Sequence, residues 1–285
     1  MGQYNIVKGQ DFELWQKDMA FCAPGGKTPV IGWDYPEYYL AQVTFKAEEV
    51  ERNPKAPRWE KAQKAEINFW RKWRKNILYK NITPDTDWAE VLKRTGGPLP
   101  AGKVLDIGCG PISVLNFFRG DGMRPIGIDP LAELYAREQI VEWKKGWEPI
   151  TMVSLSAEKL PFANEYMDHL ICFNVLDHVA DAVAMLKEML RVLRPGGTIR
   201  IYIHTFSRWL KKLLFFDSPH LSHWEHIEFS KLLESSGLEI IQENIESALF
   251  FELPSGFYAT LRYFSYWIAS KAVKTSYFLL KKPNG

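Results

Sequence analysis

The stretch Lys103–Pro111, KVLDIGCGP, decides the fold of this chain of 285 residues. In it an apolar run ends at Asp106, and a turn that contains Gly108 and Gly110 follows. Glycines at such a turn allow a tight bend and let a bound molecule approach the main-chain N–H groups. The stretch therefore predicts a buried strand that ends at a ligand-binding loop.

The loop lacks one residue of the fingerprint that binds dinucleotides. In that fingerprint, G-x-G-x-x-G, the third glycine allows close helix packing and the pyrophosphate lies at the helix N-terminus. Here Ser113 occupies the third position, and Pro111 interrupts the motif. The sequence favours a ligand without a pyrophosphate, and an NAD-dependent oxidoreductase stays open as an alternative.

Strands and helices alternate after the loop. The short apolar runs RPIGIDP, ITMVSLS, MDHLICFNV and TIRIYIHT follow KVLDIG. Between the last two, DAVAMLKEMLRVL is a helical pattern that Asp181 would cap. Its predicted apolar face consists of Val183, Leu186, Met189, Leu190 and Leu193. This alternation predicts an α/β fold with a parallel sheet and helices on both faces.

The regions on either side of this core have a different pattern. Residues 1–95 are rich in Trp, Tyr, Lys and Glu, and RWEKAQKAEINFWRKWRKNILYK within them is typical of a helix. Residues 247–274 are an aromatic segment between the strand-like LEIIQENI and SYFLLKKP. We therefore predict an N-terminal helical lid at 1–95 and a core at 96–285 with an aromatic C-terminal insertion at 247–274.

Composition limits the possible partners and compartments. The net charge of +2 gives no reason to expect nucleic acid, and three distant cysteines suggest neither a disulfide framework nor a metal motif. A polar N-terminus and the lack of a long apolar run predict a cytoplasmic protein. Two stretches, SRWLKKLLFF and FYATLRYFSYWIASKAVKTSYFLL, combine bulky apolar residues with Lys or Arg. Peripheral membrane contact therefore stays open, although a substrate-pocket lid is the favoured interpretation.

Five motifs occur in the order and spacing of a known family: VLDIGCGP, GIDP, SLSAEKLPF, MDHLICFNVLDHVAD and LRPGGTIRI. On these motifs the chain resembles the class I (Rossmann-like) S-adenosylmethionine (SAM)-dependent methyltransferases, and especially their small-molecule branch. The resemblance implies SAM as cofactor. It also implies a seven-stranded, mostly parallel sheet whose last strand, SYFLLKKP, runs antiparallel between the fifth and sixth.

Asp129 ends the second predicted strand, where a carboxylate can accept hydrogen bonds from both hydroxyls of a ribose. The resemblance implies a wider set of cofactor-binding residues at the strand ends. These are Asp106, Gly108, Cys109, Gly110, Asp129, Pro130, Leu131, Ser156, Ala157, Glu158, Phe173 and Asn174. The chain departs from the family at Ser156, where relatives often have Asp.

All six histidines fall between residues 169 and 226, in the half expected to face the methyl acceptor. A hydroxyl acceptor gains from a positioned base, and His has a suitable pKa. We prefer His204 or His223 as the base, with Asp177 and His178 in support, and a structural role stays open for His178. The H-x-x-H-x-x-H spacing in HLSHWEH also suggests zinc, but its outer histidines would leave a common helix face, so we predict no metal.

Candidate contacts to the acceptor come mostly from the N-terminal zone. They are Tyr35, Tyr38, Trp70, Arg74 and His220, with helix packing and solvation as the alternative. The sequence thus predicts a SAM-dependent methyltransferase that acts on a small molecule, at a hydroxyl of a sugar or natural-product type. A membrane-surface enzyme acting on carbon or oxygen of a lipid or quinone, and a SAM-binding module without methyl transfer, are the alternatives.

Overall fold

The structure is a computed structural model that describes residues 5–7, 56–75, 84–138, 140, 150–160, 162–212, 221–247 and 272–284. Within these ranges the strands are β1 (Asn5–Val7), β2 (Gly102–Ile107), β3 (Met123–Ile128), β4 (Thr151–Val153), β5 (Met167–Phe173), β6 (Leu193–Phe206), β7 (Glu239–Ser247) and β8 (Val273–Lys281). The helices are α1 (Ala56–Lys75), α2 (Pro84–Arg94), α3 (Ala132–Arg137), α4 (Ala182–Val192), α5 (Arg208–Lys211) and α6 (His226–Ser235). None of the described helices is long and apolar enough to cross a bilayer.

The strands form one sheet in the order β1-β4-β3-β2-β5-β6-β8-β7. All neighbours are parallel except β8, which runs antiparallel to both β6 and β7. The seven strands predicted from the sequence are all present, and the last lies between the fifth and sixth as expected. The Rossmann-like α/β prediction is therefore confirmed.

The sheet has one strand more than predicted. β1 lies in the N-terminal zone, which we expected to be helical, and it pairs in parallel with β4 at the edge of the sheet. A strand of three residues is too short to display a period of two in the sequence, so the pattern could not reveal it. Most of the predicted lid and of the insertion at 247–274 lies outside the described residues.

Helix α4 begins as predicted, but its buried face is rotated from the predicted one. Asp181 caps it, because one carboxylate oxygen accepts hydrogen bonds from the N–H groups of Val183 and Ala184 at 3.0 Å each. Val183, which we placed on the buried face, is 47% exposed. It is about 120° round the helix from the centre of the stripe that packs on the sheet. That stripe consists of Ala182, Met185, Leu186, Met189 and Val192.

Helix α2 is fixed to the sheet near its C-terminus. The side chain of Arg94 donates to Glu246 Oε1 on β7 at 2.5 Å and lies 5.6 Å from the ring centroid of Tyr277 on β8. Arg200, a buried residue of β6, donates to the carbonyl oxygens of Gly97 and Pro98 just after the helix. These contacts hold α2 over one face of β6, β7 and β8.

The ends of β2 and β5 meet at Gly108. This residue has a φ of +65°, and a Cβ atom there would overlap the side chain of Val175, which follows β5. Gly110 has a similar φ of +59°, but a Cβ atom there would lie 3.6 Å from the ring of Trp70, an ordinary contact. Both positions have a left-handed backbone conformation. Only at Gly108 is there also no space for a side chain.

We predict that Gly110→Ala lowers the free energy of unfolding by about 1–2 kcal/mol, the cost of a left-handed conformation for an L-residue. Gly108→Ala should cost more, since Val175 must also move. Urea denaturation of the two variants beside the wild type measures the difference. Equal losses for the two variants would contradict the close approach of the strand ends at Gly108.

Candidate active site

A cavity of about 510 Å³ lies at the carboxyl ends of the parallel strands. This volume is within the range of small-molecule sites, and the place is where ligands bind in open α/β sheets. Except for Asp106, every cofactor residue predicted from the sequence lines it: Gly108, Cys109, Gly110, Asp129, Pro130, Leu131, Ser156, Ala157, Glu158, Phe173 and Asn174. The fold therefore brings four separate loops to one cavity.

Asp129 ties two of these loops together. Its Oδ2 accepts a hydrogen bond from the Gly110 N–H at 3.0 Å, and its Oδ1 accepts one from the Leu131 N–H at 2.8 Å. The hydroxyl of Tyr135 on α3 also donates to it. The carboxylate is thus held at the cavity wall by the glycine loop and by the start of α3.

Burial makes the charge of Asp129 costly. Burial, and to a smaller extent the charge of the nearby Glu66, raise the pKa of Asp129 to about 7 against the lowering effect of its hydrogen bonds. A bound molecule with hydroxyl donors or a positive charge would offset this cost.

Asp106 is buried and lies outside the cavity lining. Its Oδ2 accepts a hydrogen bond of 2.5 Å from Ser113 Oγ, and Ser113 in turn caps the short turn at Val114–Asn116. Burial raises the pKa of Asp106 to about 7, while the Ser113 bond lowers it. These contacts make Asp106 a support for the glycine loop.

A carboxylate lies beside Ser156, where the chain departs from its relatives. Glu158 Oε2 accepts a hydrogen bond from Ser156 Oγ, and Glu158 Oε1 accepts one from the Ala180 N–H at 2.9 Å. Ser156 and Glu158 both line the cavity. Glu158 can therefore supply the negative charge that an aspartate would supply at position 156.

Asn174 follows β5 with a φ of +58°, in the left-handed region that Asn tolerates better than most residues. Its N–H donates to the carbonyl of Tyr202 at 2.7 Å. Its side-chain oxygen is buried and has no hydrogen-bond partner among the described residues. With the glycine loop and Asp129, this free acceptor gives the cavity features that fit a polar ligand such as SAM.

Of the four predicted catalytic residues, His178 alone lines the cavity. Asp177, buried to 1% exposure, has its Oδ1 at 3.9 Å from His178 Nε2.

The two histidines preferred in the sequence analysis have other neighbours. His204 lies two residues beyond Tyr202 on β6, with Nδ1 at 3.3 Å from Thr275 Oγ1. His223 packs with its ring edge-on to Phe206, at 5.1 Å between centroids. The cavity lining thus includes His178 and neither of the two histidines that the sequence analysis preferred, although the ring of His204 packs edge-on to that of Tyr202 at 5.6 Å.

Trp70 lines the cavity, as predicted for an acceptor contact. Arg74 falls in the last turn of α1, and its side chain is not described. Tyr35, Tyr38 and His220 lie outside the described residues. Their predicted contacts with the acceptor stay predictions.

The cavity has an aromatic wall formed by Phe173, which the sequence analysis predicted at the site, and by Trp88 on α2 and Tyr202, which it missed. The rings of Trp88 and Phe173 are stacked at 5.7 Å between centroids, and those of Phe173 and Tyr202 are 6.0 Å apart. Tyr202 shares a strand face with His204, so strand alternation could have identified it. Trp88 could not be found in this way, because only the packing of α2 brings it to the cavity.

The N-terminal helix supplies further lining residues that were also missed. Gln63 and Glu66 line the cavity together with Trp59 and Trp70. The sequence analysis predicted this segment to be helical but did not ask which of its polar residues share a face with the two tryptophans. The helical period could have pointed to Glu66, four residues before Trp70.

The state of Asp129 predicts how affinity for SAM depends on pH. An ionised carboxylate accepts stronger hydrogen bonds than a protonated one, and a pKa of about 7 means that ionisation rises from about one tenth at pH 6 to nine tenths at pH 8. Affinity should therefore rise about tenfold over this range in titration calorimetry, and it should be weak and flat in Asp129→Asn. A flat wild-type profile would contradict an Asp129 that titrates near 7, and normal affinity in Asp129→Asn would contradict its role in cofactor binding.

Comparison with known proteins finds methyltransferases among the proteins similar to this chain. Residues 105–201 match a methyltransferase domain model. The chain is 28% identical to the ubiquinone biosynthesis O-methyltransferase of Rhizobium rhizogenes over 206 residues, which are 67% of this chain and 77% of that protein. It is 34% identical to an uncharacterized methyltransferase of Mycolicibacterium vanbaalenii over 108 residues, which are 38% of this chain and 40% of that protein.

Solved structures share the fold at low identity. A chain from a complex that contains the Haloferax volcanii Trm112 methyltransferase activator superposes with a TM-score of 0.56 at 18% identity, over 75% of this chain and 97% of that chain. The [4+2]-cyclase SpnF superposes with a TM-score of 0.52 at 19% identity, over 70% of this chain and 81% of that chain. Such identities bear on the fold alone. The matched domain, the strand order and the named relatives together support a class I SAM-dependent methyltransferase.

Proposed function

We propose that this methyltransferase transfers the methyl group of SAM to a hydroxyl of a flat, largely apolar small molecule, with His178 as the base. One observation supports this most strongly: a single cavity contains the glycine loop, Asp129, His178 and the aromatic wall. A cofactor and an acceptor bound in it would be adjacent, as in-line displacement requires.

The cofactor would occupy the part of the cavity formed by the loops after β2, β3 and β4. Asp129 would accept hydrogen bonds from the ribose, and Ser156 with Glu158 would accept them from the adenine amino group. Bound SAM supplies a methyl group already activated on a sulfonium. The protein must therefore mainly align the acceptor, exclude water and receive a proton.

His178 is suited to receive the proton of the acceptor hydroxyl. As the new carbon–oxygen bond formed and the methyl–sulfur bond broke to leave S-adenosylhomocysteine, that proton would move to the imidazole. The buried carboxylate of Asp177 beside it would stabilise the resulting positive charge. The main chain at Asp177 is held in place, because its carbonyl oxygen accepts hydrogen bonds from the N–H groups of Leu221 and Ser222 at 2.6 and 3.2 Å. In this proposal Asp177 is a positioning residue and His178 the catalytic one.

The aromatic wall favours an acceptor with a flat ring. Stacking on Phe173 or Tyr202 would hold such a ring at the reacting end of the cavity. The relative from Rhizobium rhizogenes is named for ubiquinone biosynthesis and for methylation at oxygen. A phenol or quinol hydroxyl is therefore our first choice of acceptor, ahead of a sugar hydroxyl.

We predict that the purified protein forms S-adenosylhomocysteine when SAM is supplied with catechols or methoxyquinols, and less with simple hexoses. His178→Asn should lower kcat by about a hundredfold or more, the usual effect of losing a general base, with the dissociation constant for SAM unchanged. The matched control is His169→Asn on β5, where the ring contacts Thr198 Oγ1 at 2.8 Å outside the cavity.

Three results would contradict this function. Full turnover in His178→Asn would exclude His178 as the base. Preference for hexoses would overturn the flat-ring acceptor. Binding of SAM without transfer to any acceptor would support a module that does not methylate.

A membrane-surface location of the same activity is a second candidate, because Arg208, Trp209 and Lys212 are exposed in the described part of SRWLKKLLFF. Trp209 is 50% exposed, and the side chain of Arg208 is 83% exposed. Helix α6 is joined to this segment by the ion pair between Lys211 and Glu228, and its Ile227 is 67% exposed. Exposed aromatic and basic residues of this kind are typical of interfacial helices. In flotation with vesicles of phosphatidylcholine and phosphatidylglycerol, a membrane enzyme should rise with the vesicles and Trp209→Ser should not. A wild-type protein that stays at the bottom would exclude this candidate.

A further inference from the structure

We propose that helix α1 completes the cofactor site and that Glu66 shares the ribose diol of SAM with Asp129, one hydroxyl to each carboxylate. The inference rests on the assignment of this cavity to SAM. It adds a residue from outside the five family motifs to the site.

Glu66 lies on the face of α1 that is turned to the cavity. Gln63, Glu66 and Trp70 follow one another at helical spacings of three and four residues, and all three line the cavity. The indole N–H of Trp70 donates to Glu66 Oε1 at 2.7 Å, which orients the carboxylate. The ring of Trp70 also packs against the glycine loop at Gly110.

Contacts outside the cavity hold α1 in this position. Arg71 donates to both carboxylate oxygens of Glu138, just after α3, at 2.8 and 2.5 Å. Ala62 and Ile67 are buried at 2% and 5% exposure, and Ile67 belongs to the apolar cluster on this side of the sheet. The ring of Trp70 also meets that of Tyr135 edge-on at 6.5 Å. The helix thus contacts the same α3 residue that donates to Asp129.

Acidic groups are gathered in this part of the cavity. Glu66 is close enough for its charge to raise the pKa of Asp129. Among the described residues, Asp106 on β2, Cys109 in the glycine loop and Tyr135 on α3 also interact with Asp129, and none of these is a cation. Glu158 and His178 are further titratable residues of the cavity lining.

Gln63 adds a further acceptor. Its side-chain oxygen is buried and has no hydrogen-bond partner among the described residues. Two carboxylates and an amide oxygen around one space favour a ligand rich in donors, and a vicinal diol offers one hydroxyl to each carboxylate.

The test is titration calorimetry with Glu66→Gln, which keeps an oxygen to accept the Trp70 N–H and removes the charge. The probes are SAM, S-adenosylhomocysteine and 5′-methylthioadenosine, which share the ribose, whereas the last lacks the amino-acid part. We expect affinity for all three to fall about tenfold, the usual scale for a hydrogen bond to a charged group. Glu60→Gln, at an exposed position on the same helix, is the matched control and should bind all three normally.

A second measurement tests whether the charge of Glu66 acts on Asp129. In Glu66→Gln, the pH at which affinity for SAM rises should move to lower values, because Asp129 loses its charged neighbour. An unmoved midpoint would contradict the placement of Glu66 beside Asp129, on which the shared diol depends.

Unchanged affinities in Glu66→Gln would overturn the proposal. A loss confined to SAM and S-adenosylhomocysteine would also overturn it, because Glu66 would then serve the amino-acid part. Weaker binding with an unmoved midpoint would exclude the direct contact. These readouts need no acceptor, so failure to find one leaves the test valid, whereas a wild-type protein that does not bind SAM would refute the cofactor assignment itself.

Discussion

The hydrogen bond from the Gly110 N–H to the carboxylate of Asp129 joins the two strand ends on which the site depends. It links the loop after β2 to the end of β3 at 3.0 Å, while the Leu131 N–H fixes the other oxygen at 2.8 Å. In this bond Gly110 has a left-handed conformation and the carboxylate lies at the carboxyl end of β3. The bond thereby holds the glycine loop and the carboxylate of Asp129 beside the same cavity.

Acidic groups are concentrated at the end of the cavity assigned to the cofactor. Asp129 and Asp106 are buried carboxyls whose pKa values are each raised to about 7, and Glu66 adds a third acidic group. Buried groups with shifted pKa values are a common feature of binding sites. Such a group of carboxyls favours a ligand with hydroxyl donors and positive charge, and SAM has both.

Much of the core could be predicted from the sequence because its determinants are local. Gly108, Gly110 and Asp129 lie within or directly after short apolar runs, so their place at strand ends follows from the pattern alone. The strand β1 could not be found, since three residues have no visible period. The exposure of Val183 was also not predicted, because helical spacing locates the buried face of a helix only to within about one residue position.

Residues that depend on packing between distant segments were harder to predict. His178, His204 and His223 all lie in the half of the chain expected to face the acceptor, and the sequence cannot tell which of them enters the cavity. Trp88 and Glu66 reach it only because α2 and α1 pack over the sheet, and helical periodicity does not say what a face packs against. The boundary of the N-terminal lid at residue 95 stays a prediction.

The central claim is that one cavity holds SAM with its ribose at Asp129 and its reactive end toward His178. A crystal structure with S-adenosylhomocysteine bound tests it most directly. The account predicts both ribose hydroxyls within hydrogen-bond distance of carboxylate oxygens, one of them from Asp129, and the sulfur near Asn174 and His178. A ribose bound away from Asp129, or a sulfur directed away from His178, would contradict it.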